Sequence, residues 1–207
     1  MKTTALLTLI VCFTAAAVGA DGGIVETLKK KYSGDQTIVA DFDLTILWKV
    51  REKQETKSGR LQLAPGDKFR VELGPTTWVC NGQTVWQYNN KANQVVIKRL
   101  LDYDLSQQPS QILSTFVNGY EYEVLEQNDR QAILQWEADS SDTRSFYRTV
   151  TIYYDMRKQS LSSLILVDRH GNESTYLFKR TAFGEDIPQE VFEFEIPKGV
   201  HVLDDRS

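Results

Sequence analysis

The chain reads as mainly β: a single antiparallel sheet, strongly curved or partly rolled, with two short helices. Three observations predict this. Runs of alternating apolar and polar residues recur along most of the 207 residues, the period of strands with one buried face. Turn signals separate the runs: Pro65-Gly66-Asp67, Gly74-Pro75 and Asn81-Gly82 suit tight connections. Only two segments have helical spacing, few to fill a wide sheet, and a rolled sheet of that size tends to enclose a cavity.

Residues 1–20 are read apart from the fold. Met1-Lys2 is a positive start, residues 5–18 are apolar or small, and Val18-Gly19-Ala20 has the form a signal peptidase accepts. The apolar run falls short of the ~20 residues that span a bilayer. A secretory signal peptide is therefore expected at 1–20, cleaved before Asp21, and one domain over 21–207. Cleavage removes one lysine and moves the net charge from −4 to −5. A mildly acidic chain without a basic cluster is a poor partner for nucleic acid or for permanent docking on anionic lipid. A monomer is expected. Cys12 leaves with the signal, so Cys80 has no pair and the core must hold the fold without a disulfide.

The elements follow in order. Residues 24–32 read as an amphipathic helix, with Ile24, Leu28 and Tyr32 four apart and Lys29, Lys30 and Lys31 solvated. Residues 42–50 are a half-buried strand with apolar even positions, and the polar stretch 52–59 is expected to be a hairpin connection. Phe69, Val71 and Leu73 share one strand face, with Arg70 and Glu72 on the other; Trp86 and Tyr88 make a second aromatic row. A strand at 93–99 follows. Pro109 then precedes Ile112, Leu113, Phe116 and Val117, the spacing of a short helix. Strands are expected again at 120–125, 131–137, 146–155, 161–167, 174–179 and 192–196.

Chemistry-bearing arrangements are missing. His170, in a turn, and His201 lack a second histidine at metal-binding spacing, and Asp168-Arg-His-Gly-Asn-Glu has too few oxygen ligands for calcium. Asp41 and Asp43 share the wet face of a strand, which does not raise a carboxyl pKa for acid–base work. No phosphate loop, nucleophile elbow or Cys/His pair occurs. No enzyme, metal or cofactor is expected.

The aromatic inventory remains: 9 Phe, 9 Tyr and 4 Trp. Projected onto strands, Phe42, Leu44, Ile46, Trp48, Phe69, Val71, Trp86, Tyr88, Ile97, Tyr122, Trp136, Ile152, Tyr154, Leu166, Phe178 and Phe194 are assigned to one concave face. Such a face either fills with its own side chains or lines a cavity.

The order of motifs resembles the periplasmic outer-membrane lipoprotein carrier family, LolA. The resemblance runs through Gly59-x-Leu61-x-Leu63-x-Pro65, Phe69-Arg70-Val71-Glu72, Asn81-Gly82-x-x-x-Trp86-x-Tyr88, Asp168-x-x-Gly171-Asn172-x-x-x-Tyr176-x-Phe178 and Phe192-x-Phe194-x-x-Pro197-x-Gly199. It implies an incomplete, half-open β-barrel whose open side is covered by short helices over a hydrophobic cavity, with Ile24, Leu28 and Tyr32 of the first helix and Ile112, Leu113 and Phe116 of the second as the lid. It also implies a periplasmic carrier that holds the acyl chains of lipoproteins in that cavity. Such a carrier receives them from an inner-membrane ABC transporter and passes them to an outer-membrane receptor. The chain departs from the family at Ala64, where members carry a basic residue that bonds to the lid. Two alternatives stand beside this reading: a related carrier of another lipid, and a periplasmic interaction protein with a filled core.

Overall fold

Residues 21–103, 113, 117, 119–139 and 145–206 are described in the computed structural model. The expected signal peptide, Ile112 and Phe116 lie outside them. Among these residues helix α1 spans Asp21–Lys31, and twelve strands follow in one sheet. These are β1 Ile38–Trp48, β2 Lys53–Ala64, β3 Lys68–Leu73, β4 Thr76–Asn81, β5 Thr84–Asn89 and β6 Gln94–Arg99. The second half comprises β7 Glu123–Gln127, β8 Gln131–Glu137, β9 Tyr147–Asp155, β10 Ser160–Asp168, β11 Glu173–Phe183 and β12 His201–Asp204.

The spatial order is β12-β6-β5-β4-β3-β2-β1-β11-β10-β9-β8-β7. Two hairpin meanders therefore meet where β1 pairs with β11. All neighbours are antiparallel except β12, which runs parallel to β6. With β12 and β7 at opposite ends, the sheet does not close on itself, as the incomplete barrel requires.

Tight turns hold the meander in register. Asn81 Oδ1 accepts from the backbone N–H groups of Gln83 and Thr84 at 3.1 and 3.0 Å. Gly82 takes φ +95°, and a β-carbon there would stand 2.6 Å from the Gly66 carbonyl oxygen. Both conditions exclude other residues at that turn.

Two expected elements change. The polar stretch 52–59 is strand, paired along β1 from Lys53 opposite Trp48 to Gly59 opposite Phe42. Its polar side chains find partners across the ladder: Thr45 and Thr56 hydroxyls lie 2.9 Å apart, and Ser58 Oγ donates to Asp43 at 2.7 Å. A short 3₁₀ turn at Lys49–Arg51 makes the connection, closed by Glu52 at φ 48°. The expected last strand at 192–196 is instead the end of a 3₁₀ turn, Gln189–Phe192, and an extended strap; pairing resumes only in β12.

Candidate functional site

Side chains directly opposite across a ladder share a face, so the register sorts the sheet residue by residue. One row runs Leu134, Ile152, Leu164, Tyr176, Leu44. A second runs Ala40, Leu61, Val71, Trp78, Gln87, and a third runs Ile38, Leu63, Phe69, Cys80, Val85. Leu44, Val71, Phe69, Cys80 and their neighbours form one buried cluster, which defines the inner face.

Helix α1 lies over that face. Its Ile24 and Leu28, and Tyr32 just beyond its end, belong to the same cluster. The Tyr32 hydroxyl accepts a hydrogen bond from the Leu161 N–H at 3.0 Å. That amide sits where the β9–β10 register slips between Leu161 and Ser163, so the tyrosine serves a backbone group beside a break in the ladder. The Tyr32 ring meets Phe183 edge-on at 5.4 Å, and Lys31 Nζ lies 4.5 Å from the Phe183 ring centre. Leu113 and Val117 are helical and equally buried in the cluster, on the connection that carries the chain from β6 to β7.

At one end the face opens into a groove of ≈ 450 Å³. Its walls include Leu44, Ile46, Trp48, Leu73, Leu166 and Tyr176, with Trp78 and Gln87 on one side and Phe146, Tyr147 and Asn172 towards the rim. A slightly larger hollow of ≈ 530 Å³ lies beside the end of α1, but Lys30, Lys31, Ser33, Asp35 and Gln36 line it. The groove on the inner face is the one whose walls, Leu44, Leu73, Leu166 and Tyr176, belong to the buried apolar cluster.

Of the residues assigned to the concave face, Phe42, Leu44, Phe69, Val71, Ile152, Tyr154 and Leu166 lie buried in the inner cluster. Ile46, Tyr122, Trp136 and Phe178 pack against it, and Trp48 lines the groove. Trp86, Tyr88 and Ile97 do not join them. Phe69 pairs with Cys80, and Cys80 with Val85, so Trp86 and Ile97 fall in a row with Val79 on the opposite face, and Tyr88 falls with Thr77 and Val95. There the C-terminal strap covers them: Phe192 is 1 % exposed and the Phe194 ring lies 5.6 Å from Tyr88. Phe194 is therefore corrected to the outer side as well. The strap is tied down by Lys68 Nζ to Gln189 at 2.9 Å and by Asn93 to the Gly199 carbonyl at 2.8 Å.

Asp168 lines the groove, whereas Asp41, Asp43 and their basic partners keep to the outer face. Asp43 meets Lys179 at 2.7 Å and Asp41 meets Arg60 at 3.5 Å; the Lys179 and Ser58 hydrogen bonds hold the Asp43 carboxyl below its ordinary pKa. Arg70 stands opposite Val79 on the outer face and bonds Glu72 at 2.8 Å. Ala64, at the end of β2, brings no charge to α1. The cysteine is inert by environment: burial pushes the Cys80 thiol up to about 11, against a helping hydrogen bond from the Gly82 N–H. Among the described residues, no group of three or more His, Cys, Asp and Glu side chains is placed to hold a metal ion. Nor is any helix among them long and apolar enough to cross a membrane.

A model of the family described as outer membrane lipoprotein carrier protein LolA matches residues 33–195. The chain belongs to the LolA family. Its LolA relatives include the outer-membrane lipoprotein carrier protein of Chromobacterium violaceum, 28 % identical over 201 residues and covering 96 % of each chain. That of Hahella chejuensis is 27 % identical over 209 residues, covering 98 % of each. Among solved structures, an uncharacterized conserved protein from Thermus thermophilus shares the fold, with a TM-score of 0.54 at 15 % identity over 88 % of this chain and 98 % of that one. As a LolA protein the chain falls in a family of lipoprotein carriers.

Inner-face residues that sequence reasoning missed include Trp78, Cys80, Val85, Gln87 and Tyr176. Strand β4 is apolar on both faces, Trp78 and Cys80 inward and Val79 outward, so its alternation carries no direction. The discriminating signal was the count of residues through the Asn81-Gly82 turn, which pairs Cys80 with Val85.

Proposed function

We propose that the chain from residue 21 onward is a periplasmic carrier that shields the acyl chains of lipoproteins on its inner face. Residues 1–20 act as its export signal. It takes cargo from an inner-membrane ABC transporter and yields it to an outer-membrane receptor. The observation that carries this reading is the pairing of a continuous apolar inner face with a cover built from separate elements. Ile24, Leu28 and Tyr32 fill the face from α1, and Leu113 and Val117 fill it from the β6–β7 connection, so lifting these exposes the strands without unpairing them. Each CH₂ kept from water is worth about 0.8 kcal/mol, so an acyl chain competes strongly with these side chains for the same wall. Closing the cover on the empty face then favours release.

The extent of the buried inner cluster favours a second reading, a protein whose sheet is filled for good by its own side chains. Uptake of a fluorescent acyl probe separates the two. A carrier binds the probe saturably and loses it to competing detergent, and Leu44→Glu, on the groove wall, abolishes binding while far-ultraviolet circular dichroism is unchanged. A protein that takes up no probe, and yields no acylated species on native mass spectrometry from a periplasmic extract, is the filled-core protein.

A further inference from the structure

The groove contains a donor that no alkyl chain can satisfy. Trp78 Nε1–H is buried and, alone among the buried side-chain nitrogens and oxygens of the described residues, has no hydrogen-bond partner. Nearly all buried donors in folded proteins are paired, and an indole N–H can only donate. Gln87 stands directly opposite Trp78 on the same face, and both line the groove beside Leu44, Ile46 and Leu73. The Tyr103 hydroxyl approaches the pair: it donates to Gln87 Oε1 at a long 3.5 Å, and while burial raises its pKa, the nearby Trp78 N–H offsets part of that rise. It does not complete a hydrogen bond with Nε1.

We infer that Trp78 and Gln87 recognise the carbonyl oxygen of an acyl group, with the Trp78 N–H donating to it. This rests on the carrier reading above and adds to it the polar feature of the ligand. The charge of the lining selects among acceptors. Among the described residues no lysine or arginine lines the groove, and their one carboxylate there, Asp168, already accepts the N–H groups of His170 and Asn172 at 2.8 and 2.9 Å. A carboxylate or phosphate buried there lacks a counter-charge, which a neutral ester or amide carbonyl does not need. An acyl chain carries that carbonyl at the end where its apolar part begins, matching a donor set beside apolar walls. The Tyr103 hydroxyl is the imperfect stand-in for that carbonyl, and the ligand displaces it.

Three probes of equal length test this: methyl palmitate, N-methylpalmitamide and hexadecyl methyl ether, titrated into the chain from residue 21 onward. The wild type is expected to bind a carbonyl probe roughly three- to tenfold tighter than the ether. One of four indole N–H resonances, assigned to Trp78 through its loss in Trp78→Phe, should shift with the carbonyl probes alone. Trp78→Phe should erase the preference and leave ether affinity intact. Tyr103→Phe, which removes the competing hydroxyl, should strengthen carbonyl binding. A stronger response to the amide points to N-linked chains, and to the ester, glyceride chains. Equal binding of ester and ether by the wild type means the N–H takes only a buried water and overturns the assignment, as does a preference surviving in Trp78→Phe. If that variant fails to fold, an unchanged ratio in Tyr103→Phe overturns it instead. Failure of all three probes to bind defeats the carrier reading itself, a result distinct from the loss of preference.

Discussion

The ring of Phe42 occupies the space where a β-carbon on Gly59 would stand. That carbon would lie 2.5 Å from Phe42 Cζ, 2.8 Å from Cε2 and 3.0 Å from the Glu72 carbonyl oxygen. Phe42 and Gly59 face each other across β1 and β2, and the ring is held on its other side by Tyr176 at 5.6 Å and Phe178 at 6.2 Å. The glycine lets an aromatic ring of one strand lie over the backbone of the next, which closes the middle of the inner face.

Gly59→Ala is therefore expected to destabilise by about 1–3 kcal/mol, the usual cost of overpacking a core. Phe42→Leu in the same chain should recover part of the loss, because the smaller side chain vacates the contested space. Urea unfolding of the two single variants and the double variant measures this coupling. Simple additivity would mean that Gly59 matters for its backbone and not for the ring.

Tyr32→Phe keeps the ring against Phe183 but leaves the Leu161 N–H without its buried acceptor. A loss of about 1–3 kcal/mol is expected. Hydrogen exchange at the Leu161 amide should accelerate more than at Leu164, which stays within the β9–β10 pairing. Since the bond ties the end of α1 to the sheet, the variant should also take up an acyl probe faster.

Stability should fall on the alkaline side and be flat near neutrality. Burial raises the pKa of Tyr32, Tyr103, Tyr122, Tyr154 and Tyr176 above the ordinary 10.0, that of Tyr147 to about 12, and that of Cys80 from 9.0 to about 11. Each group is an acid whose folded form holds its proton more tightly than its unfolded form. Its contribution is complete below the unfolded pKa and is lost as pH rises towards the folded one. The decline should begin near pH 9 with the cysteine and steepen above 10 with the tyrosines. Unfolding free energies from urea titrations at pH 8, 9, 10 and 11 test the sign. At pH 8 the Cys80 thiol should resist Ellman's reagent until α1 is displaced, so Leu28→Asp should speed its modification.

Phe192 tests the division of the sheet into two faces. Phe192→Ala removes a buried ring on the outer side and should cost about 3–5 kcal/mol, while leaving acyl-probe affinity within about twofold, as expected of distant and independent sites. A large loss of binding in a still-folded Phe192→Ala would place the strap, and with it Trp86 and Tyr88, in the ligand site.

Individual strands were legible because their side-chain period is local. Residues 131–137 coincide with β8, and the α1 stripe of Ile24, Leu28 and Tyr32 is buried as its spacing predicts. Legibility failed where local pattern lost its meaning. In β2, residues 53–58 read as a loop because they are polar, yet they pair with β1 through the backbone, which leaves no mark on side-chain type. The aromatic row of Trp86 and Tyr88 reads as inward-facing only if one face of the sheet is covered. Here α1 covers one face and the strap through Phe192 and Phe194 covers the other, so aromatic side chains occur on both.

Composition, turn residues and alternation by themselves determined a mainly β chain with a curved antiparallel sheet and an amphipathic first helix; that the sheet stays open under a helical cover was implied only by the order of its motifs. The motif order from Gly59 to Gly199 determined its family. Only the tertiary structure decided which aromatics face inward, because that depends on how each hairpin registers against the next, and one residue of slip exchanges the two faces. It alone brought Trp78, Gln87 and Tyr103 together. Their meeting depends on β4, β5 and the chain beyond β6 folding onto one groove, and nothing in the spacing of three polar or aromatic residues records that encounter.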